Sequence, residues 1–241
     1  MEAKDRIIQA KRSVIVAADV SNFGELRHLS QDVNKVQGIE CFKIGFRMAF
    51  RDIMAAVNVI ITNYGIGVPI IYDHQKAGND IPDMGKGFAE DLKDAGVTAV
   101  ILFPFTGPTT QEVWTKACLG VGLQVLTGGM MTHPKFLVSE GGYIADKSVE
   151  RIFRLACQLG VQHFVVPGNK LDWVKRIRGW LIKELGEGNF VLYAPGFITQ
   201  KGDISECGRI AGKEWHAIVG SAIYEAKDMR EAAIAITRQI I

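Results

Sequence analysis

Short apolar runs alternate with longer amphipathic stretches along the whole chain. The runs, which are rich in Val, Ile and Phe, are Val14–Ala18, Glu40–Ile44, Pro69–Asp73, Thr98–Phe103, Leu123–Leu126, His163–Pro167, Phe190–Ala194 and His216–Gly220. Runs that stay apolar throughout, instead of alternating apolar and polar residues, are typical of parallel strands buried on both faces. The pattern therefore predicts eight strands of one parallel sheet.

The stretches between the runs carry apolar residues at helical spacing, as in 149–159, with charged residues on the opposite face. Seven such helices and a final one at Glu225–Arg238 complete eight βα units. The 241 residues come close to the roughly 250 of a typical (β/α)8 barrel, and no linker or repeat divides the chain. We therefore predict an α/β fold: a single (β/α)8 TIM barrel domain over residues 1–241. Met1–Arg12 is predicted to add a short N-terminal helix, with its isoleucines against the body.

Composition narrows the classes of partner and compartment. A net charge of +2, with no block of like charges, argues against nucleic-acid or membrane-surface partners. No apolar run approaches the roughly 18 residues of a membrane span, and the N-terminus lacks the apolar stretch of a signal peptide. The four cysteines form no C-x-x-C pair and no Cys/His cluster with metal-ligand spacing, which predicts reduced thiols in the cytoplasm and no metal site.

Charged side chains follow three neighbouring predicted strands. Asp19 ends the first strand, Lys43 lies within the second, and the third leads into Asp73, Lys76 and Asp80. The carboxyl ends of barrel strands surround one open face, so these five groups are expected to converge there. An aspartate at a strand end can simply cap the next helix, but an ammonium inside an apolar strand needs a carboxylate partner. The cluster therefore predicts the catalytic groups.

A second candidate site follows the last two strands. Pro195 and Gly196 end the seventh strand and Gln200 follows them, while Gly220 and Ser221 end the eighth. Loops after these two strands commonly bind phosphate through backbone N–H groups, and glycine permits close approach of an anion. The alternative is that these glycines only form turns.

The chain resembles the orotidine 5′-monophosphate decarboxylase family over nearly its whole length. The shared features are a strand-one Asp, a strand-two K-x-G, an Asp/Lys/Asp-Ile cluster, an M-T-H-P segment, a P-G…Q-x-G-D segment and a final V-G. Members are cofactor-free homodimers that convert orotidylate to uridylate in pyrimidine (UMP) biosynthesis. The resemblance implies the same barrel, reaction and assembly for this chain.

The resemblance also implies roles for the charged cluster. Asp19 and Lys43 would hold the ribose and organise the charge network. Asp73 would lie beside the substrate carboxylate, and Lys76 would protonate the pyrimidine carbon. Asp80 would reach into the neighbouring subunit's site.

The same resemblance assigns the rest of the substrate. Thr132 would contact the pyrimidine amide, where the family usually has serine. Gln200 and the backbone of Gly220 and Ser221 would bind phosphate, beside Pro195 and Gly196.

Two features of this chain depart from the family pattern. The usual D-x-K-x-x-D cluster is longer by one residue on each side of the lysine, so either a looser loop absorbs the insertions or His74 replaces the first aspartate. Ser221 also stands where the family commonly has a phosphate-binding arginine, which predicts weaker phosphate affinity. These departures leave open a different phosphorylated substrate.

Two other functions fit the same scaffold. Sugar-phosphate enzymes of the hexulose-phosphate synthase or keto-gulonate-phosphate decarboxylase type use Mg²⁺ and have an acidic residue where Lys43 stands, so a lysine there would repel the ion. A non-catalytic nucleotide-binding barrel is the remaining alternative.

Overall fold

Eight parallel strands form a closed barrel in which each strand pairs with the next and the last pairs with the first. The computed structural model describes residues 6–74, 78–197 and 202–240. The strands are β1 (Arg12–Ala17), β2 (Ile39–Gly45), β3 (Ile70–Asp73), β4 (Ala99–Leu102), β5 (Gln124–Gly128), β6 (His163–Val165), β7 (Val191–Ala194) and β8 (Trp215–Val219). Each coincides with one of the predicted runs, so the predicted (β/α)8 architecture is confirmed.

Helices connect consecutive strands around the outside of the barrel. They are α1 (Phe23–Asp32), α2 (Phe46–Asn63), α3 (Gly85–Asp94), α4 (Pro108–Gly120), α5 (Asp146–Gln158), α6 (Leu171–Leu185), α7 (Ile204–Ala211), α8 (Ser221–Tyr224) and α9 (Met229–Thr237). In the described parts of the chain, none of them is both long and apolar enough to cross a membrane.

The last helix begins later than predicted. Instead of one helix over Glu225–Arg238, the chain forms the single turn of α8 and then α9. Asp228 precedes α9 in an extended conformation, and its carboxylate accepts a hydrogen bond from the backbone N–H of Glu231 at 2.9 Å. An N-terminal cap of this kind sets where a helix begins, and apolar spacing alone does not reveal it.

The strands place apolar side chains on both of their faces. One set fills the barrel interior: Ile15, Ala17, Cys41, Ile71, Ala99, Ile101, Phe103, Leu126, Val165, Val191, Tyr193 and Ile218. The intervening residues point outward and pack against the helices in a larger cluster. Because successive side chains point to opposite faces, β2 directs both Cys41 and Lys43 into the barrel.

The N-terminal segment closes the end of the barrel opposite the strands' carboxyl ends. In the described part, residues 7–11 form bends, so the short N-terminal helix predicted for Met1–Arg12 is not found there. Ile7 and Ile8 are both buried against the interior cluster. Two consecutive side chains on a helix point about 100° apart, so an irregular segment can direct both isoleucines into the barrel better than a helix.

A polar network lies buried near this closed end. The hydroxyl of Ser13 and Nδ1 of His216 are 2.8 Å apart, and the hydroxyl of Tyr193 is 3.1 Å from Nδ1 of His163. Burial, together with the charge of Arg6 and the neighbouring His163, lowers the pKa of His216 to about 3. The imidazole of His216 is therefore neutral in the folded protein at neutral pH.

We predict that this buried histidine makes the fold acid-sensitive. Below its unfolded pKa of about 6.5, the unfolded chain takes up a proton on His216 that the folded chain excludes, so stability falls as the pH drops from there towards 3. His216→Asn, which retains an amide near Ser13, should show a shallower loss of unfolding free energy, measured by urea denaturation across this pH range. His28→Gln on the exposed face of α1 is the control and should follow the parent protein. Equal slopes for all three proteins would contradict the prediction.

Candidate active site

Lys43 lies at the open end of the barrel between two aspartates. Its Nζ is 2.9 Å from Oδ2 of Asp73, 3.3 Å from Oδ2 of Asp19 and 3.5 Å from Oδ1 of Asp19. The barrel register places Lys43 beside Ala17 of β1 and Ile71 of β3, so the ammonium emerges between the strands that lead to its two partners. The structure thus brings three of the predicted charged residues together.

The environment keeps Lys43 protonated. The residue is only 7% exposed, and burial alone would lower its pKa. The charges and hydrogen bonds of Asp73 and Asp19 outweigh burial and raise the pKa above its usual value. One oxygen of Asp73, Oδ1, is buried without a hydrogen-bond partner among the described residues. The cluster carries two negative charges and one positive charge, with a carboxylate oxygen still open to a donor.

Gly45 makes room for this ion cluster. A Cβ at this position would lie 2.2 Å from Oδ1 of Asp19, far inside van der Waals contact. The backbone of Gly45 is extended, with φ −96°, so space and not conformation requires glycine. The glycine of the K-x-G motif therefore allows Asp19 to approach Lys43.

The loop after β3 holds the remaining predicted charged residues. Asp73, and not His74, joins the ion cluster, whereas His74 Nδ1 is 2.6 Å from the hydroxyl of Tyr72. Asp80 is exposed, its carboxylate accepts a hydrogen bond from the N–H of Ile81 at 2.7 Å, and no ion pair in the described ranges links it to Lys43. Lys76 lies outside the described residues.

The ends of β7 and β8 form a pocket of about 200 Å³ next to Lys43. Its lining includes Pro195, Gly196, Gly220 and Ser221, all predicted substrate-binding residues. Gly196 has a φ of 104°, a left-handed conformation that disfavours other residues. The predicted phosphate site thus borders the ion cluster through Lys43, which also lines this pocket. Gln200 lies outside the described residues.

Thr132 reaches the same region from the loop after β5. Its Cγ2 would be 3.0 Å from a Cβ at Gly196, and its backbone carbonyl accepts a hydrogen bond from Nδ2 of Asn169 at 3.1 Å. Sequence reasoning overlooked Asn169, although it follows β6 within a Pro-Gly-Asn segment. Polar residues that follow the end of a barrel strand are expected to surround its open end. The same rule, applied to β6, would have identified Asn169.

Arg47 is a second residue that sequence reasoning overlooked. It is exposed in the first turn of α2, where Nη1 donates to the carbonyl of Asp19 at 3.1 Å and Nη2 donates to Oγ of Ser21 at 2.8 Å. Its position two residues after the K-x-G glycine was the available signal, because the start of that helix borders the open end of the barrel.

A larger groove lies away from these residues. It measures about 510 Å³ between α4 and α5, and Phe105, Tyr143 and Arg151 are among its lining residues. None of the predicted site residues lines it, so size alone does not identify the site here. In the described portion of the chain, no group of three or more His, Cys, Asp or Glu residues could hold a metal ion.

The chain is similar to known proteins in both sequence and fold. The profile of the Orotidine 5'-phosphate decarboxylase / HUMPS family matches residues 12–236. Orotidine 5'-phosphate decarboxylase of Methanosarcina barkeri is 31% identical over 233 residues, which cover 97% of this chain and 96% of that protein. The enzyme of that name from Pyrococcus abyssi is 33% identical over 174 residues, 72% of this chain and 74% of that protein.

A solved structure shares the fold. The crystal structure of orotidine 5'-monophosphate decarboxylase from Methanocaldococcus jannaschii, complexed with inhibitor BMP, matches with a TM-score of 0.80 at 19% identity. The match covers 95% of this chain and 98% of that one. At this low identity, the likeness supports the barrel architecture and its connectivity.

We predict that Gly45→Ala will displace Asp19 from Lys43. The added methyl group has no space beside the Asp19 carboxylate, so overpacking should lower the unfolding free energy by about 1–3 kcal/mol in urea denaturation. Gly87→Ala is the matched control, because Gly87 is exposed in α3 and a Cβ there would contact nothing within 4 Å. The control should gain about 0.5–1 kcal/mol from its higher helix propensity. A Gly45→Ala protein as stable as the parent would contradict this account of the motif.

Proposed function

Because the chain belongs to the Orotidine 5'-phosphate decarboxylase / HUMPS family, we propose that it converts orotidine 5′-monophosphate to uridine 5′-monophosphate in pyrimidine biosynthesis, without a metal or cofactor. The observation that carries the proposal is the Lys43 ammonium held between Asp19 and Asp73, beside the glycine-lined pocket. Relatives that bear the name of this enzyme align with 97% and 94% of the chain.

We propose an orientation of the substrate from the residues that line the pocket. The phosphate would bind at Gly196, Gly220 and Ser221, which line the pocket. By the family resemblance, Gln200 would be a further ligand. Asp19 and Lys43 would hold the ribose hydroxyl groups. The pyrimidine would then extend from Lys43 towards Thr132, which lies next to Gly196.

The proposed reaction needs a cation beside the carbon that loses its carboxylate. The bond between that ring carbon and the carboxylate breaks, carbon dioxide leaves, and the electron pair stays on the ring carbon. In the proposal, the ammonium of Lys76 stabilises this charge and donates its proton to the carbon. Asp73 and Asp80 would help to keep Lys76 protonated.

Asp73 has the surroundings expected of a group that faces the substrate carboxylate. It is partly buried, its Oδ2 binds Lys43, and its Oδ1 has no hydrogen-bond donor among the described residues. Repulsion between two nearby carboxylates would destabilise the bound substrate, and loss of neutral carbon dioxide would relieve that repulsion. Binding energy from the distant phosphate would hold the substrate in place despite the repulsion.

Lys43 also argues against the Mg²⁺-dependent sugar-phosphate alternative. Its Nζ lies within 3.5 Å of oxygens from both Asp19 and Asp73, the same carboxylates that could otherwise bind a divalent cation. A lysine in this position neutralises the acidic pair and repels a metal ion. We therefore favour the decarboxylase within this family.

We further propose a homodimer in which Asp80 completes the partner's site. Asp80 is exposed on the loop after β3, and Ile81 and Met84, which follow it closely along the chain, are exposed apolar residues. Thr110 fixes the loop by donating its hydroxyl to the carbonyl of Asp80 at 3.1 Å. A second copy would cover these apolar side chains and receive the carboxylate.

We propose a cytoplasmic location. All four cysteines are free thiols. Burial raises the pKa of Cys118 and Cys207 to about 12, so these thiols stay protonated and unreactive. Cysteines of this kind suit a reducing compartment.

The reaction itself can be tested directly. Purified protein in a buffer with EDTA should remove the absorbance of orotidylate and form uridylate, because no step of the proposed chemistry uses a metal. No turnover, combined with tight uridylate binding, would indicate the non-catalytic nucleotide-binding barrel. Turnover of sugar phosphates that requires Mg²⁺, with orotidylate untouched, would support the other alternative.

Mixing two inactive variants tests both Lys76 and Asp80. Lys76→Ala should lower turnover by about 10²–10⁴-fold or more, the usual contribution of a proton donor, while uridylate binding is largely retained. Asp80→Asn should also be inactive. If the two residues act in one site from different subunits, mixed dimers regain part of the activity. The control, Lys86→Ala at an exposed position of α3, should be fully active. Failure of the mixture to recover activity would contradict the shared site.

A further inference from the structure

Arg47 is an exposed cation at the open end of the barrel, and neither the ion cluster nor the pocket described above includes it. We propose that Arg47 binds the phosphate of the substrate from the β1 side of the mouth, supplying the positive charge that Ser221 lacks. This inference rests on the proposed function, since it assumes that a phosphorylated ligand occupies the pocket at Gly196, Gly220 and Ser221.

The guanidinium is held in place but its charge is not neutralised. Its two hydrogen bonds go to the carbonyl of Asp19 and the hydroxyl of Ser21, both of which are neutral acceptors. No ion pair within residues 6–74, 78–197 and 202–240 joins Arg47 to a carboxylate. The carboxylate of Glu25, in the first turn of α1, accepts hydrogen bonds from the N–H of Ser21 and the side-chain amide of Asn22. An arginine has five N–H donors, so three remain for a ligand.

Contacts place Arg47 near the pocket. Asp19, whose carbonyl it binds, contacts Lys43, and Lys43 lines the pocket together with Gly220. Tyr224 connects the two sides, because its ring would lie 3.3 Å from a Cβ at Gly220. Burial, Asp19 and Glu225 raise the pKa of Tyr224, and the charges of Arg47 and Lys43 oppose them, so the same phenol lies close to both cations.

The charge inventory favours Arg47 as the phosphate ligand. A phosphate monoester carries close to two negative charges at neutral pH. Among the described residues that line the pocket, Lys43 is the cation, and Asp19 and Asp73 already neutralise it. Arg47 can offer a guanidinium fork, which suits phosphate oxygens better than a hydroxyl group does. Arg47 lies in the first turn of α2, which follows β2 directly, and its side chain is exposed.

The test compares a ligand with and without its phosphate. Binding of uridylate and of uridine is measured by isothermal titration calorimetry for the parent protein and for Arg47→Ala, Arg47→Lys and Arg51→Ala. Arg47→Ala should weaken uridylate binding by about 10- to 100-fold, the equivalent of one charge-assisted hydrogen bond, and leave uridine binding unchanged. Arg47→Lys should fall between that variant and the parent. Arg51→Ala, an exposed arginine one turn further along α2, should match the parent.

Three results would overturn the proposal. Equal weakening of uridylate and uridine would mean that Arg47 only positions the loop that contains Asp19 and Ser21. Unchanged uridylate affinity in Arg47→Ala, or a parent protein that does not prefer uridylate to uridine, would exclude a phosphate contact. The outcome is separate from catalysis: a parent that binds uridylate through Arg47 but leaves orotidylate intact would refute the decarboxylase and retain this inference.

Discussion

The pairing of one buried ammonium with two carboxylates governs the open end of this barrel. Lys43 can lie in an apolar strand only because Asp19 and Asp73 compensate the cost of removing its charge from water. That requirement extends to the backbone, since Gly45 must lack a side chain for Asp19 to come near. It also orients Asp73 at the end of β3, because one oxygen of this carboxylate lies 2.9 Å from the ammonium. The arrangement of Asp19 and Asp73 around Lys43 is therefore needed to bury the lysine charge as well as to form the candidate site.

The barrel was predictable because its signal is repeated and strong. Strands with apolar side chains on both faces are typical of a parallel sheet covered by helices. All eight predicted runs form strands of the barrel. The chain ends were harder to predict. The segment before β1 has two adjacent isoleucines that look helical in composition, yet both are buried by an irregular backbone. The beginning of α9 depends on the cap at Asp228, a single hydrogen bond that the apolar pattern does not show.

The candidate site was predictable where its residues interrupt an expected pattern. A lysine within an apolar strand and aspartates at strand ends stand out, and the structure joins Lys43 with Asp19 and Asp73. Asn169 and Arg47 do not stand out, because polar and charged residues are ordinary in loops and at helix starts. Their importance depends on what the fold places opposite them: the loop after β5 in one case and the loop after β1 in the other.

The isoleucines that close the far end of the barrel have a consequence for ligand exchange. Ile7 and Ile8 pack against the side chains of the barrel interior, which separate that end from Lys43. A barrel closed at this end has one opening to solvent, at the carboxyl ends of the strands. Product must leave through the same opening by which substrate enters. Product release must therefore precede the binding of the next substrate, and loops around the single opening can limit the rate of both steps.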